Sequence, residues 1–115
     1  DSAMKYIIAI IQPDRVQDVL AKLEEKEIHL VTVSQVLGRG RQKGIAEVYR
    51  SHKEPGNLLK KVKLEIAVNQ EFVAATIEAI TTGARSGQIG DGKIFVLPIE
   101  NAIRIRTEET GENAI

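Results

Sequence analysis

The sequence predicts an α+β fold in which a sheet carries helices on one side. Two segments with a helical period of apolar residues each follow a short apolar segment that is rich in β-branched residues. A long basic stretch from Gly38 to Lys61 shows neither period and separates the second and third strand-like segments. Stretches of this length without an element of their own are uncommon inside a compact domain, so we expect a long, mobile, functional loop.

The first strand is expected from Met4 to Ile11, because the apolar run YIIAII is short and stops before Pro13. Pro13 suits the first turn of a helix, which should continue to about Lys26. The apolar stripe of this helix comprises Val16, Val19, Leu20 and Leu23. A second strand follows from Leu30 to Leu37, where apolar and polar residues alternate.

The clearest alternation in the chain runs from Val62 to Asn69 and predicts a third strand with one buried face. A second helix should cover about Gln70 to Thr82, with Gly83 as its stop. The apolar stripe of this helix comprises Val73, Ile77, Ile80 and Ala84. The last strand is expected from Lys93 to Ile99, where Pro98 indicates either an edge position or the last ladder bond of the strand.

This order predicts a ferredoxin-like βαββαβ sandwich of four antiparallel strands and two helices. Both helices cover one face of the sheet, while the first strand is apolar on both faces. We therefore expect a homo-oligomer that packs through its sheets. One domain should span residues 4–115, with the loop at about residues 40–58 and a C-terminal segment at 101–115, whereas residues 1–3 are interpreted as a tag remnant.

Composition and charge narrow the classes of function. The absence of cysteine excludes disulfides and thiolate chemistry. No apolar run approaches the ~20 residues of a membrane span, and no signal peptide is recognised, so a soluble cytoplasmic protein is expected. The net charge is zero, but residues 38–63 contain eight basic and two acidic residues. One basic segment in a neutral chain favours a local anion site over a nucleic-acid surface.

Three stretches could form that anion site. The first, Gly38 to Gly44, interleaves glycines, which let backbone amides approach a ligand, with basic side chains. The second, Gly83 to Gly92, holds four glycines whose amides, together with Lys93, would form an anion nest. In the third, Arg104 to Arg106, strand alternation would send both guanidinium groups to one side and Ile105 into the protein.

Each stretch also has a plainer interpretation: a solvated loop, a hairpin turn at Asp91-Gly92, or two solvated edge charges. The glycines before Lys93 satisfy most of a P-loop pattern. However, Ile94 stands where the magnesium-binding hydroxyl belongs, and a strand follows where a P-loop requires a helix. These two departures reject a P-loop NTPase.

Enzyme chemistry and RNA binding find little support. Both histidines are isolated, and no Ser/His/Asp order or metal-ligand cluster stands out. An RNA-binding sheet needs exposed stacking aromatics, and only Tyr6 and Phe95 lie on predicted strands.

Taken together, five segments resemble the PII nitrogen-regulatory signal proteins: GRGRQKG, EVYR, KVKLEI, SGQIGDGKIFV and IRIRT-x-ETG, in that order. The resemblance extends from Met4 to Ile115 without gaps. It implies a homotrimer of ferredoxin-like subunits that is not an enzyme and binds ATP or ADP in each cleft between subunits. The long loop would report ATP, ADP and 2-oxoglutarate to target proteins, such as an ammonium channel or nitrogen-assimilation enzymes and regulators.

The resemblance also implies the binding residues. The nucleotide would be held by the base of the loop, the glycine-rich turn, the arginine pair of a neighbouring subunit, and residues that flank the adenine and ribose. In that order these are Gly40, Arg41 and Gln42; Gly90, Asp91, Gly92 and Lys93; Arg104 and Arg106; and Thr32, Glu65 and Ala67.

In relatives, 2-oxoglutarate binds through Mg²⁺ beside the ATP phosphates. The resemblance implies that Gln42 helps to hold the metal and that Lys43 and Lys61 contact the dicarboxylate. Cations are required there, because a dicarboxylate and a triphosphate repel each other. Gln12 stands where relatives often have a basic residue, which bears on the affinity for 2-oxoglutarate.

The loop tip departs from many bacterial relatives, which carry a uridylylated tyrosine where this chain has Glu54. Tyr49 matches a tyrosine that is not the usual target, and the serine phosphorylated in cyanobacterial relatives falls at His52, beside Ser51. No uridylylation is therefore expected. Two alternatives to a sensor stay open: a slow ATPase or phosphotransferase that uses the same cleft, and a nucleic-acid binder that uses the basic loop.

Overall fold

The computed structural model describes residues 3–39, 53–54 and 58–115, and within them the predicted α+β architecture is confirmed. The strands are β1 (Met4–Ile11), β2 (Thr32–Gly38), β3 (Lys53–Glu54), β4 (Leu58–Asn69) and β5 (Gly92–Pro98). The helices are α1 (Val16–Glu25) and α2 (Val73–Ala84), which follow the short 3₁₀ turns Pro13–Arg15 and Gln70–Phe72. Neither of these described helices is long and apolar enough to cross a membrane.

The strands form one antiparallel sheet in the order β2-β4-β1-β5, and β3 additionally pairs with the start of β4. This is the predicted ferredoxin-like order. Pro98 lies opposite Lys5 on β5, which pairs with β1 at one edge of the sheet. Pro98 thus lies on an edge strand and is also the last residue of β5, so both interpretations of this proline fit the structure.

The hydrophobic core lies between the sheet and the two helices. Register places Ile7 opposite Ile66 and Ala9 opposite Leu64, and all four side chains are buried. The helix residues that complete the core are Val19, Leu23, Thr76, Ala79, Ile80, Gly83 and Ala84. Both predicted apolar stripes contribute to it, and the buried Thr76 satisfies its hydroxyl by donating to the Phe72 carbonyl at 2.7 Å.

On the opposite face of the sheet, the part formed by β1 and β5 is largely apolar and is uncovered among the described residues. Tyr6, Ile8 and Ile10 of β1 are only partly buried on this face. On β5, Phe95 and Leu97 are 49% and 42% exposed. An apolar face left open to this extent is typical of a surface that meets another protein.

The expected stop at Gly83 is wrong, because α2 continues to Ala84. Gly83 is buried where the two helices approach each other. A Cβ at this position would lie 2.7 Å from the Cα of Val19 on α1. The glycine therefore permits a close helix contact and does not end the helix.

Strand boundaries also differ from the alternation pattern. β4 begins at Leu58, well before Val62, so Lys60 and Lys61 lie on a strand and not in the loop. Leu37 and Gly38 at the end of β2 pair with Lys60 and Leu59. A segment without alternation of its own becomes a strand here because β2 supplies the hydrogen-bonding partner.

At the N-terminus, the carbonyl of Ala3 accepts a hydrogen bond from the Gln70 amide at 2.7 Å. Ala3, the last of the three residues interpreted as a tag remnant, thus makes a contact within the fold.

Candidate functional site

Two of the candidate stretches meet at one end of the sheet. Ile11, near the end of β1, lies opposite Val62 on β4 and Gly92 on β5. Lys61 and Lys93 are the chain neighbours of those two partners. Residues that are far apart in sequence, at the start of β4 and at the start of β5, therefore lie at the same end of the sheet.

The glycine turn, residues 85–92, connects α2 to β5 at this end. Gly87, Gly90 and Gly92 have φ values of 84°, 95° and 116°, a region that side-chain-bearing residues rarely adopt. At Gly92 a Cβ would also collide with the carbonyl oxygen of Ile10. All three glycines of the turn thus adopt a conformation that favours glycine, and Gly83, which lies before the turn in α2, is required by helix packing.

Two side chains of the connection between β1 and α1, Gln12 and Arg15, support the glycine turn. Gln12 is 0% exposed, and its Nε2 donates to the Gly90 carbonyl at 2.6 Å. Arg15 donates from Nη2 to the Arg85 carbonyl at 2.8 Å and from Nη1 to Asp18 at 3.2 Å. Sequence reasoning missed both supports, because nothing local in the sequence links Gln12 or Arg15 to a turn 70 or more residues away.

The carboxylate of Asp91 folds back into its own turn. Its Oδ2 accepts hydrogen bonds from the amides of Ser86 and Gly87 at 2.8 and 3.0 Å, and its Oδ1 accepts one from the Ser86 hydroxyl at 2.6 Å. At these two amides the predicted anion nest is filled by the chain itself.

The predicted adenine-flanking residues lie together on the open face of the sheet. Thr32 pairs with Glu65, and Ala67 pairs with Tyr6. The Tyr6 hydroxyl donates to Oε2 of Glu65 at 2.5 Å, and the Nζ of Lys63 lies 4.0 Å from Oε1. This hydrogen bond, followed by partial burial and the negative charge of Glu65, raises the pKa of Tyr6. Tyr6 is a member of this group that sequence reasoning did not include.

Two surface cavities flank the same end of the sheet. One, of about 310 Å³, is lined by Pro13, Gln35, Val36, Leu37, Lys60, Lys61 and Val62. The other, of about 260 Å³, is lined by Ile11, Ile80, Thr81, Ala84, Arg85, Asp91, Gly92, Lys93 and Ile94. Each of them combines an apolar floor with lysine, a composition that suits organic anions.

The arginine pair lies in a hairpin and not on a strand. Ile103 forms an isolated bridge with Thr110, and residues 105–107 are a turn closed by the Glu108 amide, which donates to the Arg104 carbonyl at 2.7 Å. The expectation that Ile105 points into the protein is wrong, because its side chain is 94% exposed. Strand alternation does not apply to a chain that reverses direction at these residues.

This hairpin follows the C-terminal end of β5, and the glycine turn lies at the other end of that strand. The seven residues of β5 correspond to about 20 Å at ~3.3 Å per residue. The base of the hairpin is tied to the last residue of β4, where the Asn69 side-chain amide donates to the Glu112 carbonyl at 3.3 Å. Arg104 itself lies 3.8 Å from Glu109 within the hairpin.

The candidates at the loop lie outside the described residues. They are Gly40, Arg41, Gln42 and Lys43, together with Tyr49, Ser51 and His52 of the loop tip.

Comparisons with known proteins agree on one family. The model of the family described as nitrogen regulatory protein P-II matches residues 4–109. Nitrogen regulatory protein GlnK1 of Methanosarcina mazei is 56% identical over 115 residues, which cover 98% of each chain. Nitrogen regulatory protein P-II 2 of Methanothermobacter thermautotrophicus is 46% identical over 112 residues, with 97% of each chain covered.

Among solved structures, a crystal structure of Arabidopsis thaliana PII bound to citrate is similar with a TM-score of 0.80 and 41% identity. The alignment covers 100% of this chain and 94% of the plant protein. The names of these relatives describe regulatory proteins of nitrogen metabolism. With the family match, the relatives and the fold in agreement, this chain belongs to the nitrogen regulatory protein P-II family.

Proposed function

We propose that the protein is a sensor of nitrogen, carbon and energy status that binds ATP or ADP and, together with Mg²⁺-ATP, 2-oxoglutarate. The observation that carries the proposal is the convergence at one end of the sheet of a pre-shaped glycine turn and two lysines, Lys61 and Lys93. Backbone amides and the ammonium group of Lys93 are groups that recognise phosphate, and Lys61 is a cation that can pair with a carboxylate. The citrate in the plant PII crystal structure supports binding of a small polycarboxylate by a protein of this fold.

The residues present fit an anionic nucleotide. Gly90, Gly92 and Lys93 would hold its phosphates, and Thr32, Glu65 and Ala67, which lie side by side on the open face, would border its base and sugar. Lys93 is exposed at the start of an edge strand and is therefore accessible to a ligand. The bound nucleotide supplies phosphate oxygens for Mg²⁺, to which Gln42 would add a ligand.

The site is proposed to be completed between subunits of a homotrimer. The exposed Arg104 and Arg106 follow the end of β5 that is remote from the glycine turn. They would serve a neighbouring molecule, and the uncovered apolar face would be the surface through which subunits pack.

The target proteins would be recognised by the long loop. Ligands would contact Gln42 and Lys61 at the two ends of the loop. If a ligand binds one of two loop conformations more tightly, it would shift the loop toward that conformation. The targets proposed are those of the family, an ammonium channel or enzymes and regulators of nitrogen assimilation.

Calorimetry of the full chain tests the proposal. Titration with ATP should show binding, and titration with 2-oxoglutarate should show binding only when Mg²⁺ and ATP are present. Lys61→Ala should weaken 2-oxoglutarate binding by roughly tenfold or more, since it removes one charge-assisted contact, and should leave ATP binding nearly unchanged. Lys22→Ala, on the outer side of α1, removes the same charge far from the site and serves as the control.

Three outcomes would contradict the proposal. Equal binding of 2-oxoglutarate with and without Mg²⁺-ATP would eliminate the coupling. Steady ATP hydrolysis that Lys93→Ala abolishes without loss of nucleotide affinity would favour an enzyme. A complex with nucleic acid that survives moderate salt would favour the nucleic-acid binder.

We also propose that the loop is controlled by small molecules and not by uridylylation, since Glu54 occupies the position of the modified tyrosine. Incubation with a competent uridylyltransferase and UTP should leave the mass of the protein unchanged. A mass increase of one uridylyl group would show that another residue is modified.

A further inference from the structure

The glycine turn is closed from within by one side chain. Asp91 accepts the amides of Ser86 and Gly87 on one carboxylate oxygen, at 2.8 and 3.0 Å, and the Ser86 hydroxyl on the other, at 2.6 Å. The Ser86 hydroxyl oxygen in turn accepts the Gln88 amide at 3.2 Å. These four hydrogen bonds link Ser86, Gly87, Gln88 and Asp91, so this ring of contacts holds the two ends of the turn together.

These contacts change what Asp91 can do toward a nucleotide. Its two oxygens are directed at the chain, and a carboxylate aimed at phosphates would repel them. The same carboxylate occupies the amides that an anion would otherwise use. A bound phosphate therefore has to be met by other groups of the turn and by Lys93.

We propose that Asp91 is a positioning residue, a latch that holds the glycine turn in its ligand-ready shape without touching the ligand. Asp91, Ser86 and Gly87 are named below as the latch. This inference rests on the proposed function, in which the glycine turn binds nucleotide.

The turn has a physical need for such a latch. Glycine loses more conformational freedom on ordering than any other residue, and this turn contains three glycines with positive φ. Gln12 and Arg15 fix the turn at the Gly90 and Arg85 carbonyls. The latch fixes the segment between these two anchors. The turn is therefore already ordered before a ligand binds, and the entropy cost of ordering it does not reduce the affinity for the ligand.

Nucleotide affinity of three variants distinguishes a latch from a ligand contact. Asp91→Asn keeps an oxygen for the two amides and places an NH₂ group where it can donate to the Ser86 hydroxyl oxygen. It should bind ATP within about threefold of wild type, whereas Asp91→Ala should bind roughly tenfold more weakly. Ser86→Ala should weaken binding in the wild-type background and have little further effect in Asp91→Ala, because both belong to one unit.

Other patterns overturn the proposal. If Asp91→Asn binds as weakly as Asp91→Ala, the charge and not the latch is what matters. If Asp91→Ala binds as tightly as wild type or more tightly, the carboxylate has no positioning role. Additive effects of the Ser86 and Asp91 substitutions would show that they act independently.

A measurement without nucleotide tests the latch itself. Amide hydrogen exchange at Ser86 and Gly87, followed by NMR in the full chain, should be slow in wild type and in Asp91→Asn, and at least about tenfold faster in Asp91→Ala. Fast exchange in a wild-type protein that binds ATP would refute the latch alone. Slow exchange in a wild-type protein that binds no nucleotide would refute the proposed function, and with it the positioning role.

Discussion

Single residues in this chain are constrained by contacts that only the folded structure brings together. Gly83 is an example, because sequence patterns at the end of a helix predict a stop there. The structure instead places it against Val19, where no side chain fits. The sequence contains the glycine but not the neighbour that requires it.

Gly83→Ala should destabilise the protein by about 1–3 kcal/mol, because a Cβ 2.7 Å from the Val19 Cα forces the two helices apart. Denaturant unfolding at a fixed protein concentration measures this free energy. Thr82→Ala, on the exposed side of the same helix, is the matched control and should change the free energy of unfolding little. Equal stabilities for Gly83→Ala and wild type would show that the helices can separate at no cost.

Tyr6 provides a test by titration. Its hydrogen bond to Glu65 raises its pKa above the ordinary value of about 10. The folded state therefore holds the proton more tightly than the unfolded chain does. The stability from this contact is fully present below about pH 10 and is lost as pH rises through the higher folded pKa.

The tyrosinate absorbance of wild type minus that of Tyr6→Phe isolates this titration, since the chain contains only one other tyrosine, Tyr49. The midpoint should lie above that of free tyrosine and should fall toward it in Glu65→Ala. A midpoint at or below the value of free tyrosine in the wild-type protein would mean that the Tyr6–Glu65 hydrogen bond does not persist in solution.

At the scale of elements, periodicity predicted both helices and four strands, because their apolar faces are local properties of the sequence. It failed where an element depends on a partner. β4 extends back to Leu58 because β2 lies beside it, and residues 105–107 turn back where alternation predicted a straight run. The glycine turn was recognisable as a cluster of glycines, but its supports Gln12 and Arg15 come from another part of the chain.

Gly87 and Gly92 of the turn have different surroundings and should respond differently to alanine. Gly87→Ala introduces a side chain at φ 84° into open space and should cost about 1–2 kcal/mol. Gly92→Ala adds a collision with the Ile10 carbonyl and should cost more, with loss of nucleotide binding. Thermal unfolding and calorimetry compare the two variants, and a Gly92→Ala protein as stable as Gly87→Ala would contradict the close approach of the strands.

At the scale of the whole molecule, the helices cover one face of the sheet and the described residues leave the other open. The candidate site is divided between the two ends of the sheet. The glycine turn and Lys61 lie at one end of the sheet, and the arginine hairpin follows from the other. Sequence reasoning anticipated the open face from the apolar first strand, but the residues alone do not specify how many copies cover it.

Phe95→Glu should convert the proposed homotrimer to monomers, because it places a charge on the apolar part of the open face. Sedimentation velocity measures the mass of the assembly. Ala21→Glu adds the same charge to the exposed side of α1 and should leave the assembly intact. A trimeric Phe95→Glu protein, or a monomeric wild type, would rule out packing through this face.

The start of β4 has a consequence for how readily this protein could change its partners. Leu59 pairs with Gly38 on one side and with Lys53 on the other. The segment that connects Gly38 to Lys53 therefore has to span only about 10 Å, which is two strand spacings. Gly40 to Lys43 belong to the proposed ligand site. Because closing a longer loop between fixed ends costs little, with about 0.6 kcal/mol for each doubling of length, residues 44–52 can be lengthened, shortened or replaced without shifting the register of the sheet. Recognition sequences could thus be exchanged in evolution, or grafted by design, while the ladder beneath them stays the same.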